Sequence, residues 1–315
     1  MDIKYANAPI SIAELVQEHR ENNCVLSAYK LNFIGVDGFD VYNICQSFEL
    51  EGKTYLAGRV EKRESELSCI RFFEKIDQTT YQAIDTKLAF MQDPCVCSID
   101  NELVVGGTQI FTKKDSIYSW RTAFYKGRSL DKLECLAFAP KKMKDVRLYQ
   151  TDKIHIFTRP QGGQAKKGRI GYTAIASIEE ISTAVMQNAT ILSGHFDKEC
   201  WGGVNQVHLL KNNLLGIVGH IATMSKGDKR HYYGMVFCFN PENRKSTNIK
   251  IVAERVDFSK GEYKRRDLMD VVFLGGINRN GDGTATLFAG VSDAEAHCAL
   301  IKDPFIEYED GELNE

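Results

Sequence analysis

Carboxylate and amide side chains recur along the chain, each next to a short run of alternating polar and apolar residues. Asp93 stands directly before Pro94, and since proline pushes the preceding residue toward extended geometry, we predict that Asp93 is the first residue of a strand. A carboxyl group fixed at a strand mouth is a candidate contact for a polar ligand. Such openings occur five times in the sequence: YNICQSF at Asn43, DPCVCSI at Asp93, DVRLYQT at Asp145, NQVHLLK at Asn205 and MDVVFLG at Asp270.

Two further strand-like segments follow each opening, so the repeating unit is larger than one strand. The second segments are KTYLAGR, ELVVGGT, KIHIFTR, LLGIVGH and TATLFAGV. The third segments are LSCIRFF, YSWRTAFY, GRIGYTAI, YYGMVFCF and AHCALIK. Successive openings are 50, 52, 60 and 65 residues apart, which suits a four-stranded blade with loops of varied length.

The sequence therefore predicts an all-β fold, a single five-bladed β-propeller domain over residues 1–315, with blade openings near residues 43, 93, 145, 205 and 270. A short N-terminal helix is expected from Ser11 to His19, since Ser11 and Glu14 have the spacing of a capping box. The alternative is a β-sandwich whose strands merely look alike, and it leaves the recurrence of Asp or Asn unexplained.

The innermost strands of a propeller line its central channel, so the residues at their mouths would converge on one funnel. The ends of the second strands add Arg59, Arg159, His220 and Asp293 to this ring. Carboxylates combined with arginines and a histidine suit a sugar together with an anion. The competing interpretation is that Asp and Asn at strand starts only cap turns, and that His220 is a buried core residue.

Other residues near these openings have both a functional and a structural interpretation. Lys142, Lys144, Lys167 and Arg169 could assist phosphate binding, although QAKKGR at 164–169 also reads as a solvated loop. The aromatic residues Trp201, Tyr232 and Tyr233 could stack on a sugar ring, or they could pack between blades.

The composition excludes several classes of protein. With 40 Lys and Arg against 42 Asp and Glu, the formal net charge of -2 argues against nucleic acid as a partner. The N-terminus lacks a signal-peptide pattern, and no apolar run approaches the roughly 20 residues of a membrane span, so we expect a soluble cytoplasmic protein. The nine cysteines are expected to be reduced, with no metal site at Cys95 and Cys97, and a homo-oligomer is left open.

These motifs resemble those of the five-bladed propeller mannoside phosphorylases. They are most similar to the bacterial relatives of the dual-activity β-1,2-mannosyltransferase/phosphorylases of trypanosomatid parasites, which are often filed as a domain of unknown function. The resemblance runs from about residue 30 to residue 305. In that family an Asp-Pro at the second blade carries the general acid, and QDPCVCSIDNELVVGG places Asp93 there.

The resemblance also implies roles for other residues. An Asn-Lys-Asp segment followed by His-Arg-Pro corresponds to KMKDVRLYQTDKIHIFTRP, which gives Asp145 and Arg159, with Met143 and Thr158 as departures. The family's phosphate-binding histidine corresponds to His220. Its sugar-holding aspartate in the fifth blade corresponds to Asp293, and the first blade offers Asn43 and Arg59 as sugar contacts. WGGVNQ stands where the wider family has a lysine near the fourth opening, so the acceptor contacts do not carry over.

The implied reaction is the reversible, inverting transfer of mannose between β-mannosides, expected to be β-1,2-linked, and phosphate. The expected partners are mannosides, mannose 1-phosphate or a nucleotide-mannose, with inorganic phosphate as co-substrate and no cofactor. Phosphorolysis needs one acid, since phosphate is itself the nucleophile, and we expect the surroundings of Asp93 to favour its protonated form. The alternatives are a β-mannosidase with Asp145 or Asp270 as base, and a non-catalytic propeller that binds a glycan or protein.

Overall fold

The computed structural model describes residues 2–114 and 116–314, which form a mainly β protein. Three α-helices are present in these residues: α1 (Ile12–Asn22), α2 (Thr183–Gln187) and α3 (Ile306–Glu309). The strands are β1 (Asp2–Lys4), β2 (Val25–Lys30), β3 (Asn32–Ile34), β4 (Asp40–Tyr42), β5 (Phe48–Leu50), β6 (Lys53–Glu61), β7 (Ser68–Lys75), β8 (Thr80–Ala89), β9 (Met91–Ile99), β10 (Glu102–Lys113), β11 (Ser116–Gly127), β12 (Glu134–Phe138), β13 (Arg147–Gln150), β14 (Ile154–Thr158), β15 (Gly171–Ile175), β16 (Thr190–Ile191), β17 (Trp201–Leu209), β18 (Leu215–Ser225), β19 (Lys229–Asn240), β20 (Lys245–Ser246), β21 (Lys250–Ala253), β22 (Asp270–Arg279), β23 (Thr284–Val291), β24 (Glu295–Lys302) and β25 (Glu312–Asn314).

The strands follow one another as antiparallel meanders, which confirms the prediction of an all-β fold. β9 to β12 form one four-stranded sheet, and β13 to β16 form the next. Near the N-terminus, β4 and β5 both pair with β6, which continues through β7 to β8, and β3 joins β8 in parallel. β17 to β19 pair in sequence and are extended by β20 and β21, while β22 to β24 pair in sequence and are joined to them where β19 meets β22.

The N-terminal segment completes the sheet that is last in the chain. β2 pairs antiparallel with β24, from Val25 opposite Ile301 to Lys30 opposite His297. Helix α1 precedes this strand, and the predicted capping box is present, since Ser11 and Glu14 bond each other's backbone N–H groups. The helix continues three residues beyond the predicted end at His19 and stops at Asn23, which has a left-handed φ of 41°.

Apolar side chains from neighbouring sheets pack into shared cores. Ile70 and Phe72 of β7 belong to one cluster with Val105 of β10 and Cys298 of β24. Burial of each large apolar side chain stabilises the fold by roughly 1.5–3 kcal/mol. This core holds sheets from the beginning and the end of the chain together, which fixes the positions of their inner strands.

Irregularities interrupt the innermost strands, and they decide where the polar side chains point. The pairing of β9 with β10 shifts between Gly106 and Thr108, opposite Asp93. Asp93 is the third residue of β9 and has a left-handed φ of 51°, so the predictions of a strand start and of extended backbone were both wrong. The bulge accounts for this difference, because an extra residue in one strand bends it and re-aims a side chain.

Two further properties of the described residues bear on the sequence predictions. All nine cysteines carry free thiols. No described helix has both the length and the apolar character that a membrane span requires.

Candidate active site

A cavity of about 590 Å³ lies where the irregular inner strands meet. Eight of the residues singled out from the sequence line it: Asn43, Arg59, Asp93, Asp145, Arg159, His220, Tyr232 and Asp293. Lys144, Lys167 and Trp201, which were also considered, line it as well. The residues come from every part of the chain, so only the folded sheets bring them together.

Four of the cavity residues hold a backbone conformation that side chains disfavour. The φ angles are 44° at Asn43, 51° at Asp93, 58° at Asp145 and 49° at Asp293, all in the left-handed region. Asn and Asp tolerate this region better than other side chains, so each position costs about 1 kcal/mol, the low end of the usual range. Twelve other non-glycine residues of the described chain share this conformation, so the grouping of four around one cavity is what marks a candidate functional site.

One side of the cavity is built around Asp93, which is 6% exposed. Asn43 Nδ2 donates a hydrogen bond to Asp93 Oδ1 at 2.8 Å, and Arg59 Nη1 lies 3.4 Å from the same oxygen. Gly290 leaves room for Asn43, because a Cβ at position 290 would lie 2.0 Å from Asn43 Oδ1. Asp93 Oδ2 accepts no hydrogen bond from any described residue, so it is the oxygen free to meet a ligand.

A buried network of charges fixes Arg59 behind Asp93. Arg59 Nε and Nη2 donate to Glu61 Oε2 at 3.0 and 2.8 Å. The other carboxylate oxygen of Glu61 accepts hydrogen bonds from Tyr42 and Lys264. Sequence reasoning missed Glu61 and Lys264. The signal for Glu61 was its position two residues after Arg59 on the same strand face, whereas Lys264 lies in an irregular segment that gave none.

Asp293 supplies a second carboxyl group on this side of the cavity. Burial raises its pKa to about 6; the cation of Arg59 opposes the shift, and the negative charge of Asp93 adds to it. A carboxyl group with this pKa changes charge near neutral pH, so it can donate a hydrogen bond below about pH 6 and accept one above.

Cations form the other side of the cavity. Arg159 Nη1 donates to Asp145 Oδ2 at 2.6 Å, and both side chains are almost fully buried. Burial opposes ionisation of Asp145, but the charges of Arg159 and Lys144 hold its pKa below the usual range. Lys144 lines the cavity and forms no ion pair with any described residue, so its charge is available to a ligand.

His220 lies beside this pair, with Nε2 4.0 Å from Asp145 Oδ2. Burial lowers its pKa to about 3; Asp145 opposes the shift and Arg159 adds to it, so the imidazole is neutral at pH 7. Its Nδ1 lies 2.8 Å from Asn205 Oδ1, while Nε2 is buried without a partner among the described residues. Nε2 is therefore the nitrogen that a ligand could meet.

Several other buried polar atoms around the cavity also lack a partner within the described residues. They include Asn43 Oδ1, Asp145 Oδ1 and Arg159 Nε. An unsatisfied buried polar group costs about 1–3 kcal/mol, and such groups are mostly paired in native proteins. A polar ligand in the cavity would satisfy them, which is a second indication that the site binds one.

Two aromatic residues form one wall. Trp201 Nε1 donates to the Tyr232 hydroxyl at 3.1 Å, and the Tyr232 ring stacks on His220 with centroids 5.7 Å apart. Tyr233, which was predicted to share this role, does not line the cavity but packs against an apolar core. The correction follows from strand geometry, because successive side chains point to opposite faces.

Four more predictions are corrected by position. Arg169 is buried outside the cavity, where its guanidinium donates to the backbone oxygens of Cys200 at 2.6 Å and Asp197 at 2.5 Å. Lys142 is exposed at a left-handed turn position outside the cavity. Asp270 begins β22 where that strand pairs with β19, and it bonds to His231 of β19 instead of joining the ring. Asn205 stands behind His220 and lines a second cavity.

Possible metal ligands are dispersed in the described part of the chain. It contains no group of three or more His, Cys, Asp or Glu residues arranged to hold a metal ion. Cys95 and Cys97 line the second cavity together, as expected from their spacing, but no third ligand joins them.

Comparison with known proteins gives consistent matches over nearly the whole chain. A family model described as a protein of unknown function (DUF1861) matches residues 17–307. A mannose phosphorylase from Leishmania mexicana, solved with a phosphate ion, is 31% identical, with a TM-score of 0.88 and 96% of each chain covered. A GDP-Man-dependent mannosyltransferase from the same organism is 26% identical, with a TM-score of 0.85 and 97% of each chain covered.

A more distant structure shares the fold. The β-1,2-mannobiose phosphorylase from Listeria innocua is 16% identical, with a TM-score of 0.64, and the match covers 87% of this chain and 93% of that one. No curated protein matches the sequence.

Proposed function

The chain belongs to the DUF1861 family, and from that premise and the geometry of the cavity we propose that it is an inverting mannoside phosphorylase. The enzyme transfers mannose reversibly between β-mannosides and inorganic phosphate, and forms α-mannose 1-phosphate. One observation carries the proposal: a buried carboxyl group with a free oxygen and a set of buried cations line the same cavity.

We assign Asp93 as the general acid. Asn43 and Arg59 bond its Oδ1, which leaves Oδ2 to protonate the glycosidic oxygen of the leaving alcohol. Arg59 is itself held by Glu61, so the acid is fixed by groups whose own positions are fixed. We assign Asn43, Arg59, Asp145, Asp293 and Tyr232 as contacts for the mannose ring and its hydroxyls.

We assign Arg159 and His220 to phosphate, with Lys144 as an additional cation. Inverting hydrolysis needs a second carboxylate to activate water, whereas phosphate needs only to be held against the far face of the sugar. A guanidinium suits phosphate oxygens because its N–H groups form a planar fork. The unpartnered Nε of Arg159 and Nε2 of His220 support this assignment.

Atoms and charges balance in the proposed step. The glycosidic C–O bond breaks as Asp93 gives its proton to the leaving oxygen, and a phosphate oxygen forms the new C–O bond on the opposite face. The proton of monohydrogen phosphate replaces the one that the alcohol carries away. The reaction therefore takes inorganic phosphate as co-substrate and involves no cofactor.

The pairing of charges weighs against the hydrolase alternative. A catalytic base must be free to take a proton from water, but Asp145 is paired with Arg159 at 2.6 Å. Asp270 does not line the cavity and bonds to His231. Of the two carboxylates considered as bases, Asp145 is thus held as the counter-ion of Arg159, and Asp270 lies outside the cavity. A purely binding role is disfavoured by the strained acid, Asp93, and its free oxygen.

Transfer from GDP-mannose is a second candidate function. It is favoured by the 26% identity to the GDP-Man-dependent mannosyltransferase over nearly the full chain. The same carboxyl group and cations would serve in both reactions. In transfer from GDP-mannose the Asp93 carboxylate would take the proton of the acceptor hydroxyl, and GDP, held by the cations through its phosphate oxygens, would be the leaving group. Phosphorolysis is preferred on the higher identity to the mannose phosphorylase.

We also infer the wider setting of the enzyme. The successive antiparallel meanders, the bulged inner strands and the closing pair of β2 with β24 support a single five-bladed propeller domain. The free cysteines support a cytoplasmic location. Light scattering on the purified protein would decide between a monomer and a homo-oligomer.

The direct test is incubation with α-mannose 1-phosphate and a panel of acceptors, beginning with mannose and β-1,2-mannobiose. We expect release of inorganic phosphate and a longer mannoside, and the reverse reaction on adding phosphate to the product. A parallel reaction with GDP-mannose measures GDP release. Cleavage of mannobiose at the same rate with and without phosphate would refute phosphorolysis and establish a hydrolase.

A further inference from the structure

A second cavity, of about 340 Å³, lies along the inner strands β9, β13 and β17. It is separate from the candidate active site in its lining, since the two cavities share no residue. The described residues that line it include one arginine and one histidine but no Asp or Glu. A cavity with a buried cation and no acidic residue is suited to an anion.

Arg147 is the cation, and it is only 4% exposed. Its Nε donates to the backbone oxygen of Asn205 at 3.0 Å, and its Nη1 donates to that of Val146 at 3.0 Å. These carbonyls orient the guanidinium but do not neutralise it, and no described carboxylate forms an ion pair with it. The nearest acidic residue in sequence, Asp145, is already paired with Arg159.

Two further polar groups of this cavity are unsatisfied. Asn205 Nδ2 and Gln46 Oε1 are buried and have no partner in the described part of the chain. Asn205 also provides the backbone oxygen that holds Arg147, while its side-chain Oδ1 lies 2.8 Å from His220 Nδ1. Only Nε and Nη1 of Arg147 bond to described residues, so Nη2 is left for a ligand, and a guanidinium matches the oxygens of a carboxylate.

The remaining lining mixes polar and apolar groups. Ser98, Tyr149, Gln150, Gln206 and His208 are polar, whereas Val96, Val104, Phe124, Leu148 and Val207 are apolar. A cation beside apolar side chains suits an anion that carries a short hydrocarbon group. We propose that this cavity is a binding site for a small monocarboxylate with a short apolar body. Its carboxylate meets Arg147, and its apolar part meets the valine and phenylalanine side chains.

Butyrate is the probe that tests this site, and butyramide is its neutral control. Titration calorimetry of the full chain should show saturable binding of butyrate with one site. Butyramide has nearly the same shape without the charge, and it should bind at least about tenfold more weakly. Saturating inorganic phosphate should leave the butyrate affinity unchanged, because the phosphate site we propose lies in the other cavity. This result is independent of whether the protein is a phosphorylase.

Three variants locate the binding. Arg147→Met removes the charge and keeps the length of the side chain, and it should abolish butyrate binding. Cys97→Leu adds volume inside the cavity while keeping Arg147, and it should weaken binding at least about tenfold. Arg128→Met is the matched control, because the Arg128 side chain is 88% exposed, and it should bind butyrate like the wild-type protein.

Each outcome either supports or overturns the proposed binding site. Binding that survives Arg147→Met, or equal binding of butyrate and butyramide, would overturn the proposal, as would the absence of any binding. If Arg147→Met does not fold, crystals of the wild-type protein with 4-bromobenzoate provide the decisive measurement. Anomalous density beside Arg147 would support the site, and density confined to other places would overturn it.

Discussion

Replacement of Asp293 by asparagine should stabilise the protein at neutral pH while it impairs the reaction. The folded structure raises the pKa of Asp293 to about 6, chiefly through burial, with the neighbouring Asp93 adding to the shift. The ionised form is therefore disfavoured in the folded state. Asparagine has nearly the same shape and never ionises, so the variant escapes this cost.

The sign and the size of this stability change follow from the pKa shift of Asp293. The pKa rises from 3.8 to about 6, roughly two pKa units, and each unit is worth about 1.4 kcal/mol. The folded state binds more protons than the unfolded state between these values, so the wild-type protein loses stability as the pH rises through that window. The upper limit of the loss is about 3 kcal/mol, and the contact of this carboxyl group with the open cavity reduces it.

Urea denaturation of both proteins at pH 4 and pH 7.5 checks the reasoning. The two free energies of unfolding should be similar at pH 4, and Asp293→Asn should be more stable by about 1–3 kcal/mol at pH 7.5. Asp282→Asn is the control of opposite sign, since hydrogen bonds from Thr284 lower the pKa of Asp282, so that variant should be less stable at pH 7.5. A stability difference for Asp293→Asn that does not change with pH would refute the argument.

Three further variants test the assigned roles. Asp93→Asn keeps the shape of the acid but cannot give a proton, so turnover on a mannoside should fall at least about a hundredfold. Part of the rate should be recovered with α-mannosyl fluoride. Near-normal turnover on the mannoside would remove Asp93 from the mechanism. Arg159→Ala should raise the KM for phosphate at least about tenfold and the KM for the mannoside by less. It should also lower the free energy of unfolding by about 3–5 kcal/mol, because Asp145 loses its partner. Equal changes in both KM values would make Arg159 a scaffold residue. Lys144→Met should raise the KM for phosphate about fivefold to tenfold, and Lys142→Met should leave it unchanged, because only Lys144 lines the cavity. A larger effect of Lys142→Met would instead support Lys142 as the phosphate contact, as predicted from the sequence.

The sequence predicted the all-β fold and several residues that share one cavity, because strand patterns and turn residues are short-range signals. Alternating segments bounded by turn residues predict strands directly, and the spacing of Ser11 and Glu14 predicts a helix start. The repeated unit then places Asp93 and Asp145 at comparable positions in different units, and Arg59 and Arg159 likewise. Their meeting in one cavity follows from the convergence of inner strands, which a single strand could not show.

The predictions of which side chains reach the cavity were wrong where a shift of one residue along a strand reverses the direction of a side chain. In β22 the register shift lies between Leu274 and Gly276, so the polar residue at the strand start, Asp270, does not reach the cavity. Side chains alternate along a strand, and Tyr232 therefore faces the cavity while Tyr233 packs into the core. Bulges of this kind depend on contacts between strands and leave little trace in local composition.

The buried charges behind the acid could not be predicted for a different reason. Glu61 and Lys264 are 203 residues apart in the chain, and Lys264 lies in an irregular segment between β21 and β22. An ion pair across such a distance depends on the final packing of two sheets. Sequence periodicity carries information about faces of one strand, and it carries none about such a contact.

The cavity combines two features that lower the stability of the fold. Asn43, Asp93, Asp145 and Asp293 all hold left-handed backbone, which glycine would adopt at no steric cost. Several buried polar atoms next to them also lack partners within the described residues. If these positions served only to turn the chain, glycine would suffice and the polar side chains would add only a desolvation cost. Part of that cost is offset inside the protein, where Asn43 bonds Asp93 and Asp145 pairs with Arg159. We propose that a sugar held between an acid and an oxyanion offsets the rest, because it has the hydroxyls, the leaving oxygen and the charge that these atoms lack.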